Sequence, residues 1–283
     1  MNKKFHEANR LSWNAATVAH NSHKGDQAAF FRQGGNTLYP EELSLLGDIK
    51  DLNILHLQCN SGQDTLSLVK YGANVTGVDI SDEAINFARQ LSSDSGIPAL
   101  FHRADIFDWM EQAITENLKF DRIFCSYGVL VWISDLKNWA RLISQLLTPE
   151  GKFVLIEFHP FSLYFNAQWK PHYDYFREGA VIDEGGVHDY VAKSVETLYP
   201  DEVIEEGVKD FQNPHYTYEF YWGINEVLNA LIQAGLRIEQ FNEYPYSNGW
   251  SGFEGMRNIG GGKMVQPEGM PRMPLMYGVL AGK

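Results

Sequence analysis

The sequence predicts an α/β fold, a mostly parallel sheet with helices on both faces. Through the central third, short apolar runs of strand length alternate with helical segments. The run 53–57 leads into a tight turn at Gly62 that opens a helix. The run 74–79 ends in an acid, Asp79. Together these are the parts with which an α/β domain holds an adenosine: the turn brings backbone close to the ligand, and the acid takes the ribose hydroxyls.

Taken in order, residues 5–35 mix polar and aromatic residues with weak helical periodicity, which predicts one or two short helices outside the core. Residues 40–46 predict a helix, with Pro40 in its first turn and Glu41 and Glu42 where the helix dipole favours acids. A strand at 53–57 is followed by a helix at 64–71 closed by Gly72, a strand at 74–79, and a helix at 82–92 with Ser81 as N-cap. Strands at 99–103 and 120–125 precede a helix at 136–147, closed by Pro149-Glu-Gly151, and an apolar strand at 152–158.

From 160 to 221 the alternation breaks. Aromatic residues crowd together, and stretches 194–199 and 216–222 alternate as an antiparallel pair would. A structureless loop of this length is unusual inside a domain, so the segment reads as an inserted lid. A helix at 225–234 ends at Gly235, and strands at 236–244 and 275–281 flank a loop rich in Gly and Pro. The expected organisation is an N-terminal helical cap (1–45), a core (46–160 and 223–283) and a substrate lid (161–222).

Composition narrows the function. The 283 residues are 44% hydrophobic and 21% charged, ordinary for a globular chain. With 23 basic against 36 acidic residues, the net charge of −13 repels a nucleic-acid backbone, so no nucleic-acid partner is expected. No apolar run approaches the roughly 18–20 residues that span a bilayer, and the basic start lacks the apolar run of a signal peptide. Cys59 and Cys125 read as small core residues, and the cytoplasm is the expected compartment. The nine histidines are scattered without ligand spacing, so no metal is expected. Monomer and homodimer both stay open.

A dinucleotide site needs G-x-G-x-x-G so that a pyrophosphate can rest on the helix N-terminus. Here the turn reads Gln58-Cys-Asn60-Ser-Gly62-Gln, with two of the glycines missing, and there is no Gly-Lys-Ser/Thr. A ligand with an adenosine and an amino-acid tail but no phosphate fits this turn better.

The run His56-Leu-Gln-Cys-Asn-Ser-Gly62-Gln-Asp-Thr-Leu66 resembles the first motif, H-L-Q-C-x-x-G-x-D-T-L, of a small-molecule branch of the class I S-adenosylmethionine-dependent methyltransferases. Gly77-Val-Asp-Ile-Ser-Asp82, Ala104-Asp105-Ile106, Ser126-Tyr127-Gly128-Val129, Pro149-Glu-Gly151 and Glu157-Phe-His-Pro160 extend the resemblance, as does the Trp13-Asn14 segment. It implies a Rossmann-like seven-stranded sheet whose last strand runs antiparallel, with S-adenosyl-L-methionine as cofactor. It also implies methyl transfer to an O or N atom of a small, partly apolar molecule. The chain departs from the wider superfamily at His56, where an acid is usual, and at Gln58 and Asn60, where glycines are usual.

The resemblance assigns Asp79 and Ile80 to the ribose, Asp105 and Ile106 to the adenine, and Trp13, Asn60, Gly62 and Ser126 to the remainder of the cofactor. Gln58 and Asp64 are candidates for its ammonium group, and His56 for the pocket floor. Asp79 also reads as a helix-cap acid, although Ser81 already supplies a cap; Asp105 also reads as a solvated loop acid. Beyond the fourth strand, Tyr127 and Trp132 are either pocket walls or core aromatics. Tyr164, Tyr218 and Trp222 are acceptor-pocket candidates from the aromatic crowd, which also reads as a satellite core. His159, directly after the fifth strand, is the candidate general base and substrate contact, or else a strand-end structural histidine. Alternatives to small-molecule methylation are cofactor binding without turnover, RNA or protein methylation and, weakened by the missing glycines, a nicotinamide dehydrogenase.

Overall fold

A computed structural model describes residues 2–198 and 205–283, with 195–198 described by backbone alone. Its N-terminal part holds α1 (Lys3–Ser22), α2 (Gln27–Arg32) and α3 (Pro40–Leu46). The alternating part runs β1 (Asn53–Leu57), α4 (Gln63–Lys70), β2 (Asn74–Asp79), α5 (Asp82–Ser95), β3 (Leu100–Arg103), α6 (Ile106–Thr115), β4 (Phe120–Ser126), α7 (Leu136–Leu146) and β5 (Leu147–Phe158). The insertion holds β6 (Ala180–Asp183), α8 (Val191–Leu198) and β7 (Thr217–Phe220). The chain ends with α9 (Ile224–Gln233), β8 (Arg237–Tyr244), β9 (Ser247–Asn248), β10 (Arg257–Asn258), β11 (Lys263–Val265) and β12 (Met276–Gly282).

Seven strands form the main sheet in the order β3-β2-β1-β4-β5-β12-β8, with β12 antiparallel to both neighbours. This is the Rossmann-like, mostly parallel sheet expected. Side chains alternate across it. Leu55, Leu57, Ile123, Phe153 and Leu155 pack with Phe107, Met110, Trp139, Ile143 and Leu231 from α6, α7 and α9. Ile54, Phe124, Val154 and Ile156 face the other way, onto Leu45, Leu46 and Leu68 from α3 and α4. Because strand residues have period two, one apolar run supplies both cores. The chain reverses its direction of sheet growth between β1 and β4, and a crevice opens there beyond the strands' carboxyl ends.

Four details differ from the sequence reading. The N-terminal helix α1 is a single 20-residue helix, capped by the Asn2 side chain on Lys4 N. Its buried stripe (His6, Asn9, Ser12, Ala16, His20) is largely polar, so apolar periodicity understates it. Helix α6 has no counterpart in that reading. In the insertion, β7 pairs with β6, not with 194–199: residues 191–198 are helical, and Tyr199 lies outside the described residues. Finally, the Gly- and Pro-rich loop carries a small three-stranded sheet, β10-β11-β9.

Candidate active site

The floor of the crevice is built largely from backbone. Gln58 (φ 54°) and Asn60 (φ 47°) take left-handed conformations after β1, and Gly62 (φ 82°) caps α4. The turn thereby wraps the end of β2: Asn60 N donates to Asp79 Oδ2 and Ser81 N to Oδ1, both at 2.8 Å. Burial pushes the Asp79 carboxyl up, while the N–H groups of Ser81, Asn60 and Ile80 pull it down. Gly62 is required on two counts. Its φ is positive, and a Cβ there would lie 2.8 Å from Ala88 Cβ and 2.9 Å from Phe101 Cζ.

A cavity of about 500 Å³ lies over this floor, within the roughly 300–1,000 Å³ typical of small-molecule sites. Gln58, Asn60, Asp64, Asp79 and Ile80 line it; so do Asp105, Ile106 and Ser126 from the next strand ends and Trp13 from α1. Gly62 is not among the lining residues. Gln58 Nε2 donates to Val129 O (3.0 Å), whereas its buried Oε1 has no partner among the described residues. Asp64 accepts from Thr37 Oγ1 at 2.6 Å and Ser126 Oγ at 3.4 Å, and burial pushes its carboxyl up. His56 also lines the cavity, its Nδ1 2.9 Å from Thr65 Oγ1; burial lowers its pKa to about 3, so the ring is neutral.

Asp105 is already engaged. Its Oδ1 caps α6 by accepting from Phe107 N (2.9 Å), and its Oδ2 lies 2.5 Å from His6 Nδ1. Burial raises this carboxyl, but His6, the Phe107 N–H and Lys3 together hold its pKa below the usual value.

Beyond β4 the loop carrying Tyr127 and Trp132 is pinned by one buried carboxylate. Glu157 accepts from the N–H groups of Gly128 (2.6 Å), Val129 (2.8 Å), Leu130 (3.1 Å) and Phe158 (2.6 Å). Tyr127, with φ 39°, and Trp132 both line the cavity.

The four other acceptor-side candidates do not line it. His159 points away: Nδ1 accepts from Phe161 N (3.1 Å) and Nε2 lies 3.1 Å from Glu243 Oε1. With both ring nitrogens engaged and the residue 5% exposed, His159 stands outside the cavity, where the strand-end structural reading puts it and the general-base reading does not. Tyr164 stacks with Phe161 and Tyr218 with Phe5, while Trp222 Nε1 donates to Ile133 O. Tyr164 thus packs within the insertion, Tyr218 ties it to α1, and Trp222 packs against the main core.

In their place the cavity gathers Tyr39, Phe158, Asn248 and Trp250, together with Lys24, His20 and residues 186–188, 190 and 191. The sequence reading missed all of these. No motif links them, since they come from segments far apart in the chain.

The roof joins α1 to the insertion through side chains. Asn9 donates to Tyr218 O and accepts from Tyr218 N; Ser12 Oγ accepts from Val187 N; His23 Nε2 lies 2.8 Å from Asp189 Oδ2. His20 Nε2 meets His188 O at 2.9 Å, and burial lowers its pKa to about 4. Among the described residues, no group of three or more His, Cys, Asp or Glu could hold a metal ion, and no helix is long and apolar enough to cross a membrane.

Comparison with known proteins gives this geometry a context. Residues 48–187 match the model of a family described as a methyltransferase domain. The ubiquinone biosynthesis O-methyltransferase of Actinobacillus pleuropneumoniae is 30% identical over 99 residues, 35% of this chain and 42% of that relative. The enzyme of the same name from Colwellia psychrerythraea is 29% identical over 101 residues, 36% of this chain and 39% of the relative. The chain thus spans less than half the length of these relatives. An S-adenosylmethionine-dependent methyltransferase structure from Mesorhizobium loti superposes with a TM-score of 0.52 at 19% identity, covering 89% of this chain and all of that one. One from Clostridium acetobutylicum reaches 0.55 at 17% identity, covering 86% and 87%. At such identities the likeness shows the fold alone.

Proposed function

We propose that this chain, whose residues 48–187 match a methyltransferase-domain family, is a class I S-adenosylmethionine-dependent methyltransferase that transfers a methyl group to an O or N atom of a small, partly apolar molecule and releases S-adenosylhomocysteine. S-adenosyl-L-methionine supplies an electrophilic methyl on a sulfonium; the protein's own residues bind, orient and exclude water.

The residues present fit that cofactor. Asp79 offers carboxylate oxygens toward ribose hydroxyls at the end of β2, and the wrapped turn fixes its rotamer. Ile106 and Phe107 give an apolar edge for the adenine. Asp64 and Lys24, an acid and a base lining the same cavity, suit the ammonium and carboxylate of an amino-acid tail. Asp105, engaged by His6 and Phe107 N, keeps further acceptor lone pairs for the adenine amino group.

One observation carries the reading: a single roofed cavity unites the strand-end floor with aromatic walls. In-line displacement at a methyl carbon needs chiefly alignment of nucleophile and leaving sulfur, and a roofed, largely apolar chamber supplies alignment and keeps water out. With His159 outside the cavity, we assign it no proton transfer.

Incubating the protein with tritiated S-adenosylmethionine and a metabolite extract is expected to place label in the small-molecule fraction. Label confined to protein or RNA would replace the substrate class, and cofactor binding without any transferred label would leave a binding protein.

A further inference from the structure

The walls of the acceptor end have a particular chemistry. Four rings run in succession along it: Tyr39 to Tyr127 (centroids 6.4 Å apart), Tyr127 to Phe158 (5.5 Å) and Phe158 to Trp250 (4.9 Å), and all four line the cavity. Behind them stands a polar network. Asn248, 2% exposed, donates through Nδ2 to Tyr127 Oη (2.8 Å) and Glu41 Oε2 (3.2 Å), and its buried Oδ1 has no partner among the described residues. Glu41 pairs with Lys263 at 2.6 Å, and burial raises the carboxyl pKa values of Glu42 and Asp64, that of Glu42 well above the usual range.

Burial raises the Tyr39 and Tyr127 hydroxyl pKa values, so both rings face the cavity as neutral phenols. The faces of the four rings favour positive charge on a ligand nitrogen, and the Asn248 Oδ1 is an acceptor for its N–H.

Resting on the methyltransferase reading above, we propose that Tyr39, Tyr127, Phe158 and Trp250, with the Asn248 amide oxygen, receive the nitrogen of the acceptor, and that the acceptor is an amine. The chemistry balances. The bound ammonium first gives one proton to solvent; the lone pair of the neutral amine then forms the N–C bond while the C–S bond breaks and its pair goes to sulfur, leaving the methylated nitrogen cationic. Charge grows on nitrogen as the bond forms, so rings that attract a cation act more strongly in the transition state than before it. An alcohol or phenol brings no positive charge for the rings to hold, and neither the ring faces nor the Asn248 amide oxygen favours an oxyanion. Among the described residues one lysine, Lys24, lines the cavity, and it is the residue suited above to the carboxylate of the cofactor's tail.

The test uses full-length protein loaded with S-adenosylhomocysteine and titrated calorimetrically with phenethylamine or its neutral counterpart, phenethyl alcohol, at neutral pH. The amine is expected to bind about tenfold more tightly, as a cation–π site of this size implies. Trp250→Leu should remove most of that preference while the affinity for S-adenosylhomocysteine stays within about twofold. Phe158→Leu provides the same reading should the first variant fail to fold. Equal binding of the two probes, tighter binding of the alcohol, binding of neither, or a preference that survives both substitutions overturns the amine assignment. Failure of wild-type protein to bind S-adenosylhomocysteine would instead overturn the methyltransferase reading beneath it.

Discussion

The floor and the roof of the cavity are held by different kinds of bond. In the floor, the 58–62 turn, the end of β2 and the 128–130 loop are fixed by backbone N–H groups donating to Asp79 and Glu157. In the roof, α1 meets the insertion through Asn9, Ser12 and His23, whose partners lie more than 160 residues away in the chain. The floor therefore forms wherever the sheet forms. The roof needs two remote segments to find each other, and its closure costs more ordering entropy for each bond gained.

The largest expected effect that bears on this contrast is in the floor. His56 is buried neutral with a pKa near 3, against 6.5 for the free group. Below 6.5 the unfolded chain takes up a proton that the folded one refuses, so this stability is present above pH 6.5 and is lost as pH falls toward 3. Between pH 7 and pH 4 the loss is about 3 kcal/mol from His56 alone. Urea unfolding at the two pH values should show it, and a His56→Asn variant should show a shallower loss. An equal slope in the variant would remove His56 as the cause.

Next comes ligand affinity in the floor. Asp79→Asn keeps the side chain's shape but removes its charge and one of its acceptors. It is expected to weaken S-adenosylhomocysteine binding about 30-fold by calorimetry, the scale of a lost charge-assisted hydrogen bond. An unchanged affinity would mean that Asp79 serves only the 58–62 turn.

The smallest effect belongs to the roof. Asn9→Ala removes both bonds to Tyr218 and leaves the floor untouched. Release of S-adenosylhomocysteine, followed by stopped-flow fluorescence, should quicken about fivefold, the worth of roughly 1 kcal/mol of hydrogen bonding. Weaker binding with an unchanged release rate would mean that α1 shapes the site without gating it.

The same division explains what the sequence disclosed. Asn53–Leu57 and Asn74–Asp79 are legible to the residue, because two-period burial and a terminal acid are local signals. The floor residues follow from the same stretch of chain, and nearly all of the proposed cofactor contacts do line the cavity. The acceptor side was legible only at Tyr127 and Trp132, which directly follow a strand. Tyr39, Phe158, Asn248 and Trp250 converge only once β5, β12 and the small sheet are in place. His159 has the right position along the chain and the wrong direction: Phe161 N and Glu243 draw its ring out of the cavity. Helix α8 was misread because a six-residue window cannot separate periods of two and 3.6; Val191 and Ser194, buried three apart, make the helical spacing visible only with the preceding residues included.

The two hydrogen bonds between Asn9 and the Tyr218 peptide, with those of Ser12 and His23, tie α1 to the described part of the insertion as one body. If the chamber opens as this body lifts, the cofactor, the acceptor and both products share one opening event. Their exchange should then follow a common rate constant, and a protein slow to admit one of them will be slow to admit them all.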